Sequence, residues 1–177
     1  SRNNRGMFSH IKGTPIRDIK DGTSNTAFLS ESAIQSAWGG PSCNTLHGCY
    51  TIVSGLDTNP AACFATRGPN ATVIGNFPTS HQRRGQSMYS GFSQMSGFTT
   101  VLPPNSPQCA NGRGEWQWGV YPPDSFHPGG VNMSMADGSL RFIADSIDVG
   151  DTALPGPSIN NLKGSVYGVW GALGTKV

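Results

Sequence analysis

Residues Ser125–Phe142 read SFHPGGVNMSMADGSLRF. Val131, Met133 and Met135 alternate with Asn132, Ser134 and Ala136; Asp137-Gly138 follows, and then Leu140 and Phe142 alternate with Arg141 and Ile143. Period-two alternation, an Asp-Gly pair and renewed alternation predict a β-hairpin, because side chains on a strand point to opposite faces in turn and Asp-Gly fits the tight turn between two strands. His127, Pro128 and Gly129-Gly130 form the lead-in. At 3.3 Å per residue the strand from Val131 to Asp137 is about 23 Å long, which puts His127 at the open end of the hairpin and Asp137 at the closed end. A direct His–Asp couple within the hairpin is thereby excluded. The expectation is architectural. His127 donates to a backbone carbonyl or to a carboxylate such as Glu31, and Asp137-Gly138 makes the turn.

The rest of the chain suits such a sheet. Gly (24) and Pro (13) are abundant among 177 residues, and charged residues make up 12%, about half the roughly 25% of an ordinary soluble domain. Gly and Pro are the poorest helix formers, so a β-rich α+β fold is expected in place of a helix bundle. The fold expectation is an antiparallel sheet with long Gly/Pro/Ser-rich loops. The apolar share of 36% is enough for a core. The formal net charge is +2, and Arg83-Arg84 is the one basic doublet. It reads as a solvated surface pair, and no nucleic-acid partner is expected, since that needs clustered basic charge. There is no apolar run of the length that spans a membrane.

Along the chain, TPIRDIKDGTSN predicts one helical turn capped by Thr14, with Pro15 in its first position, Ile16 and Ile19 facing inward, and Gly22 ending it in a left-handed conformation. Thr26–Glu31 (TAFLSE) and Tyr50–Gly55 (YTIVSG) predict strands, as does Thr99–Asn105 (TTVLPPN), stopped by its prolines. Gly114–Tyr121 (GEWQWGVY) predicts a strand with Trp116 and Trp118 on one face. Trp116, Trp118 and Trp170 read as core before they read as a sugar platform. Asn70 in NAT is a weak glycosylation sequon. One globular domain is expected over 1–177, with a turn and strand in 1–38, a disulfide-pinned loop region in 39–113 and the sheet carrying the hairpin in 114–177.

Cys43, Cys49, Cys63 and Cys109 lack metal-site spacing; Cys43, His47 and Cys49 lie close together but want a fourth ligand. Two disulfides are expected, paired Cys43–Cys49 and Cys63–Cys109, and with them an oxidising, extracellular or cell-surface location. On a loop-entropy scale the short bridge contributes about 2.4 kcal/mol and the long one about 4 kcal/mol. For catalysis, Ser125 lies beside His127, yet there is no G-x-S-x-G elbow and no HExxH among His10, His47, His81 and His127. No enzymatic activity and no cofactor are expected. The acids are scattered, with Asp18 and Asp21 near the first turn; Asp145, Asp148 and Asp151 have the closest spacing and are the weak calcium candidates, which read first as turn and cap aspartates.

His127 followed nine residues later by Asp137-Gly138, together with IRDIKDGTSNTAFLSES, TTVLPPNSPQC and the tail YGVWGALGTKV, resembles the bacterial prepilin-type-processing-associated H-x9-DG domain family, whose biochemical activity is unknown and which is also described as solute-binding-like. The resemblance runs from about Met7 to Val177 and marks Asp21, Gly22, Glu31, His127, Asp137 and Gly138 as its structural motif. Members look like type IV pilins or pseudopilins, with a basic leader and a hydrophobic helix. The resemblance therefore implies that this chain is the C-terminal globular part of a larger protein, attached to a membrane only through a helix that it lacks. Cys63 and Cys109 sit where the family carries a pair, and Cys43 and Cys49 look like a local addition. The function implied is a non-enzymatic structural subunit of a cell-surface or extracellular filament or pseudopilus-like assembly, with itself or other pilin-like subunits as partners. The alternative is an extracellular module that binds a solute, a carbohydrate or calcium.

Overall fold

In the computed structural model, residues 5–8, 13–34, 45–77, 84–85, 89–114, 117–156 and 164–176 are described. Among the described residues six short strands run in the order β1 (Ala27–Ser30), β2 (Tyr50–Ile52), β3 (Gln108–Ala110), β4 (Gly119–Val120), β5 (Gly130–Met135) and β6 (Leu140–Ala144), and one α-helix, α1 (Gly168–Leu173), follows. They form two three-stranded sheets, β1-β5-β6 and β2-β3-β4. The fold is β-rich with little helix. The single antiparallel sheet expected from the sequence is thus replaced by two, and the second is mixed, since β2 and β3 run parallel while β3 and β4 run antiparallel. Among the described residues no helix is long and apolar enough to cross a membrane.

The hairpin is β5–β6, in unbroken register from Gly130↔Ala144 to Ser134↔Leu140. Alternation decides its buried face. Val131, Met133 and Met135 are all buried, and with Ala27 of β1, Ile143 of β6 and Trp170 of α1 they make the first core. In β6 it is Ile143 that turns inward, while Leu140 and Phe142 face solvent. Gly138 closes the turn with φ at 85°, and its missing Cβ would meet nothing within 4 Å. The requirement for glycine there is one of backbone conformation, not space. Gly138→Val is expected to cost about 1–2 kcal/mol, because a β-branched residue resists positive φ. An unchanged melting temperature would contradict this account of the turn.

The second sheet carries a different core on each face. Leu56, Cys63, Leu102, Cys109 and Val120 pack on one side, and Tyr50, Ala110 and Tyr121 on the other. Gly119 is obligatory here, since a Cβ would strike the Cys109 carbonyl and the Tyr121 ring. The Cys63–Cys109 disulfide, with Cα atoms 5.9 Å apart, ties the 3₁₀ segment Pro60–Thr66 to β3. The first core is joined to the Leu102 side of the second sheet by Trp170, whose buried Nε1 donates to the Leu102 carbonyl at 2.7 Å.

Several local expectations are corrected. Thr99–Asn105 is not a strand. Its Thr99 N–H reaches the Tyr121 carbonyl at 2.8 Å, but Pro103 and Pro104 offer no donors for a ladder and the chain turns away, with Asn105 at φ 58°. The first turn is a 3₁₀ segment, Ile16–Asp18, with extended Pro15 in the cap position and no side-chain cap; Thr14 does not cap it. Three residues make too narrow a turn to bury a face, so Ile19 is buried and Ile16 is exposed. Gly22 has φ 87° and ψ 142°, positive φ but outside the left-handed helical well. Predicted strand Gly114–Tyr121 reduces to β4 among the described residues, and Trp116 lies outside them. Trp170 is core, whereas Trp118 is about half exposed. Within residues 39–113, β2 falls in the predicted strand Tyr50–Gly55, whereas β3 and the 3₁₀ segment lie where only loop was expected.

Candidate functional site

The lead-in to the hairpin concentrates its polar residues on main-chain groups. Ser125 Oγ donates to the Gly130 carbonyl at 2.7 Å and accepts the His127 N–H at 3.1 Å, closing the loop Ser125–Gly130. The hydroxyl nearest His127 in sequence is therefore held by backbone. His127 Nε2 stands 3.4 Å from Glu31 Oε2, an ion pair when the imidazole is protonated. Glu31 Oε1 accepts the Asn132 N–H at 2.5 Å, and Glu31 N–H donates to the Asn132 carbonyl at 3.3 Å. Glu31 thus continues the β1–β5 pairing by one side-chain link beyond the end of β1, and His127 braces that carboxylate from the lead-in.

The two members of this brace have unequal weight. His127→Ala removes a half-exposed ion pair, and such pairs contribute below about 1 kcal/mol. Glu31→Ala removes the acceptor of a main-chain N–H as well, and is expected to cost about 1 kcal/mol or somewhat more. Urea titration of both variants checks the order; a His127 variant less stable than the Glu31 variant would contradict it.

At the other end Asp137 Oδ1 accepts both the N–H of Ser139 at 2.9 Å and its hydroxyl at 2.7 Å. Those bonds, the hydroxyl first, hold the exposed carboxyl below its ordinary aspartate value, and Arg141 adds to them. A carboxyl depressed in the folded state contributes stability that is present above the ordinary aspartate range and is lost as pH falls through the folded value. His127 and Asp137 serve opposite ends of the hairpin, and the structure does not bring them together.

A buried ionic cluster, invisible as such in the sequence, lies just ahead of Ser125. Asp124 is fully buried. Its Oδ1 accepts from Ser32 Oγ at 2.9 Å and from the Ala33 N–H at 3.1 Å, and its Oδ2 accepts from the Gly48 N–H at 2.8 Å. Its own carbonyl receives the Ala33 N–H as well, at 3.1 Å. One carboxylate therefore fastens two other segments, residues 32–33 and Gly48, to its own. Arg84, expected at the surface, is 1% exposed instead; Arg83 lies outside the described residues. Arg84 donates through Nη1 to the carbonyls of Ser93 (2.9 Å) and Gly97 (2.5 Å), through Nη2 to Ser32 Oγ (3.4 Å), and stacks over the Tyr121 ring with its Cζ 5.5 Å from the centroid. Burial pulls the guanidinium below its usual pKa, while Asp124 and Tyr121 act in the opposite sense. His47 leans on Phe126, with Nδ1 3.8 Å from Asp124 Oδ2, beyond hydrogen-bond reach. The cluster holds loops together by ionic hydrogen bonds, with the Ser32 hydroxyl between the Asp124 carboxylate and the Arg84 guanidinium.

The remaining candidates are dispersed. Asp145 Oδ1 accepts from Asn105 Nδ2 at 2.8 Å, Asp148 accepts the N–H groups of Gly150 and Val169, and Asp151 accepts that of Ala153. Asp148 and Asp151 thus serve main-chain N–H groups of turns and of the start of α1, and Asp145 joins the end of β6 to Asn105. Among the described residues no group of three His, Cys, Asp or Glu side chains is arranged to hold a metal ion. Asp21 accepts from Thr175 Oγ1 at 3.4 Å, linking the first turn to the C-terminal segment. Asn70 is exposed in a left-handed turn with φ 54°. Cys49 is buried, and its expected partner Cys43 lies outside the described residues, as do His10 and His81.

No curated protein and no solved structure matches the chain. Residues 1–150 match a family described as "Protein of unknown function (DUF1559)", which covers most of the chain including the hairpin, and the chain belongs to that family.

Proposed function

We propose that this domain is a non-enzymatic structural subunit which assembles with copies of itself or with other pilin-like subunits at the outer surface of the cell. The observation that carries the reading is where the polar side chains of the hairpin are spent. Ser125, Glu31 and Asp137 all end on main-chain groups, and His127 ends on Glu31. Meanwhile the outer face of the same sheet leaves Leu29, Leu140 and Phe142 exposed at 55%, 78% and 54%. Polar groups committed to holding the backbone, beside apolar groups offered to the outside, suit a building block better than a catalyst. The Cys63–Cys109 bridge fits an oxidising compartment, as such a setting requires.

The experiment is sedimentation of the natively extracted protein, followed by intact mass with and without reductant. Large polymers that contain the chain, with its disulfide intact, are expected. Single soluble particles, and a melting temperature that rises with calcium and falls with EDTA, would favour the binding-module alternative instead.

A further inference from the structure

Strand β6 is the edge of its sheet, because the strand order ends there. The hydrogen bonds Asp145 N–H to Gly129 carbonyl and Met135 N–H to Ser139 carbonyl, both 2.8 Å, fix which residues face β5. Main-chain groups alternate in direction along an antiparallel strand, so 139, 141, 143 and 145 address β5. Leu140, Phe142 and Ala144 point their N–H and C=O groups the other way, where no described strand lies. The Ala144 carbonyl is met by the Ile147 N–H at 3.0 Å. Leu140 and Phe142, whose apolar side chains are themselves exposed, turn their main-chain groups outward. The opposite edge strand, β1, is blunted by a register shift between Ala27 and Leu29, whereas β6 keeps regular register over all five pairs.

We infer that β6 is a self-pairing edge, joining two copies of this chain antiparallel about a two-fold axis at Phe142. The occupant is set by what the edge can match. Outward main-chain groups spaced two residues apart are complementary to another strand, and a two-fold pairing uses one patch twice. With Phe142 opposite its own copy, Leu140 meets Ala144 of the second copy and Arg141 meets Ile143, so the Phe142 residues exchange N–H and C=O bonds and apolar side chains lie together on the outer face. Moving the axis to Arg141 would set two arginines directly opposite each other, which is destabilising. The result is one six-stranded sheet, β1-β5-β6 continued by β6-β5-β1 of the second copy, with the two Leu29 residues at its flanks. The inference deepens the self-assembly reading and rests on it for taking the partner to be another copy. A two-fold contact closes on itself, so a filament needs a second, different contact between such pairs.

Sedimentation velocity of this chain over rising concentration tests the pairing. The expected species approaches twice 18.6 kDa. The double variant Leu140→Lys/Phe142→Lys stays monomeric, with an unchanged melting temperature in dilute solution, while Leu29→Lys still pairs. Amide exchange in the unmodified chain provides an independent readout, with the Phe142 N–H protected in concentrated solution and fast in dilute solution. Three results would overturn the inference: a monomer at every concentration, a dimer that survives the double variant, or a Phe142 amide that exchanges fast when the chain is paired. Surface polymers without a solution dimer would defeat this inference alone. A dimer in a protein that never polymerises would defeat the subunit reading alone.

Discussion

Asp124→Ala is expected to cost about 3–5 kcal/mol, as removal of one buried charged partner commonly does. The carboxylate accepts bonds from Ser32, Ala33 and Gly48, and all three lose an ionic acceptor at once. The Gly48 N–H is then buried without that partner, at a cost of about 1–3 kcal/mol by itself. Arg84 also loses the negative charge that offsets the cost of burying its cation. At about 2–4 °C per kcal/mol for a chain of this size, the melting temperature should fall by roughly 6–20 °C. Asp124→Asn should fall between, since it keeps one acceptor oxygen and loses the charge. Urea denaturation reads these differences, and a cost under about 1 kcal/mol for the alanine variant would show that the cluster does not hold the loops. Combining Asp124→Ala with Arg84→Met should recover part of the loss, because the second change removes the stranded cation.

The Cys63–Cys109 bridge is the second large contribution. Its half-cystines are 46 residues apart, and closing a loop of that length contributes about 4 kcal/mol on the chain-entropy account. Both sulfurs lie in the core with Leu56, Leu102 and Val120, so the bridge joins segments that already pack together. Cys63→Ala/Cys109→Ala should therefore keep the fold but melt roughly 8–16 °C lower, at 2–4 °C per kcal/mol. Thermal unfolding of the double variant under non-reducing conditions measures this directly. A shift of only a degree or two would mean that the core, not the crosslink, secures the second sheet.

What the sequence made legible was local. The β5–β6 hairpin follows from alternation and an Asp-Gly pair, signals contained within about fifteen residues. Even there, alternation does not say which face is buried, and Ile143 rather than Phe142 turned inward because the α1 side of the sheet supplies Trp170 as cover. The Asp124 cluster was illegible for the opposite reason. Its partners are 76 to 92 residues away in sequence, and an Arg-Arg doublet and an aspartate after two prolines are ordinary surface residues to any local rule. The segment Thr99–Asn105 satisfied strand propensity at its start, where the Thr99 N–H makes a strand-like bond to the Tyr121 carbonyl just past β4, but Pro103 and Pro104 offer no donors to extend it.

We propose that the hairpin and its braces build a subunit of a surface assembly. Electron microscopy of shed surface material, labelled with an antibody to this chain, tests it most directly. Labelled filaments in the parent cells, sparse in cells whose chain carries Gly138→Val, are the predicted result. Abundant chain at the surface with no labelled filament or ordered assembly would contradict it.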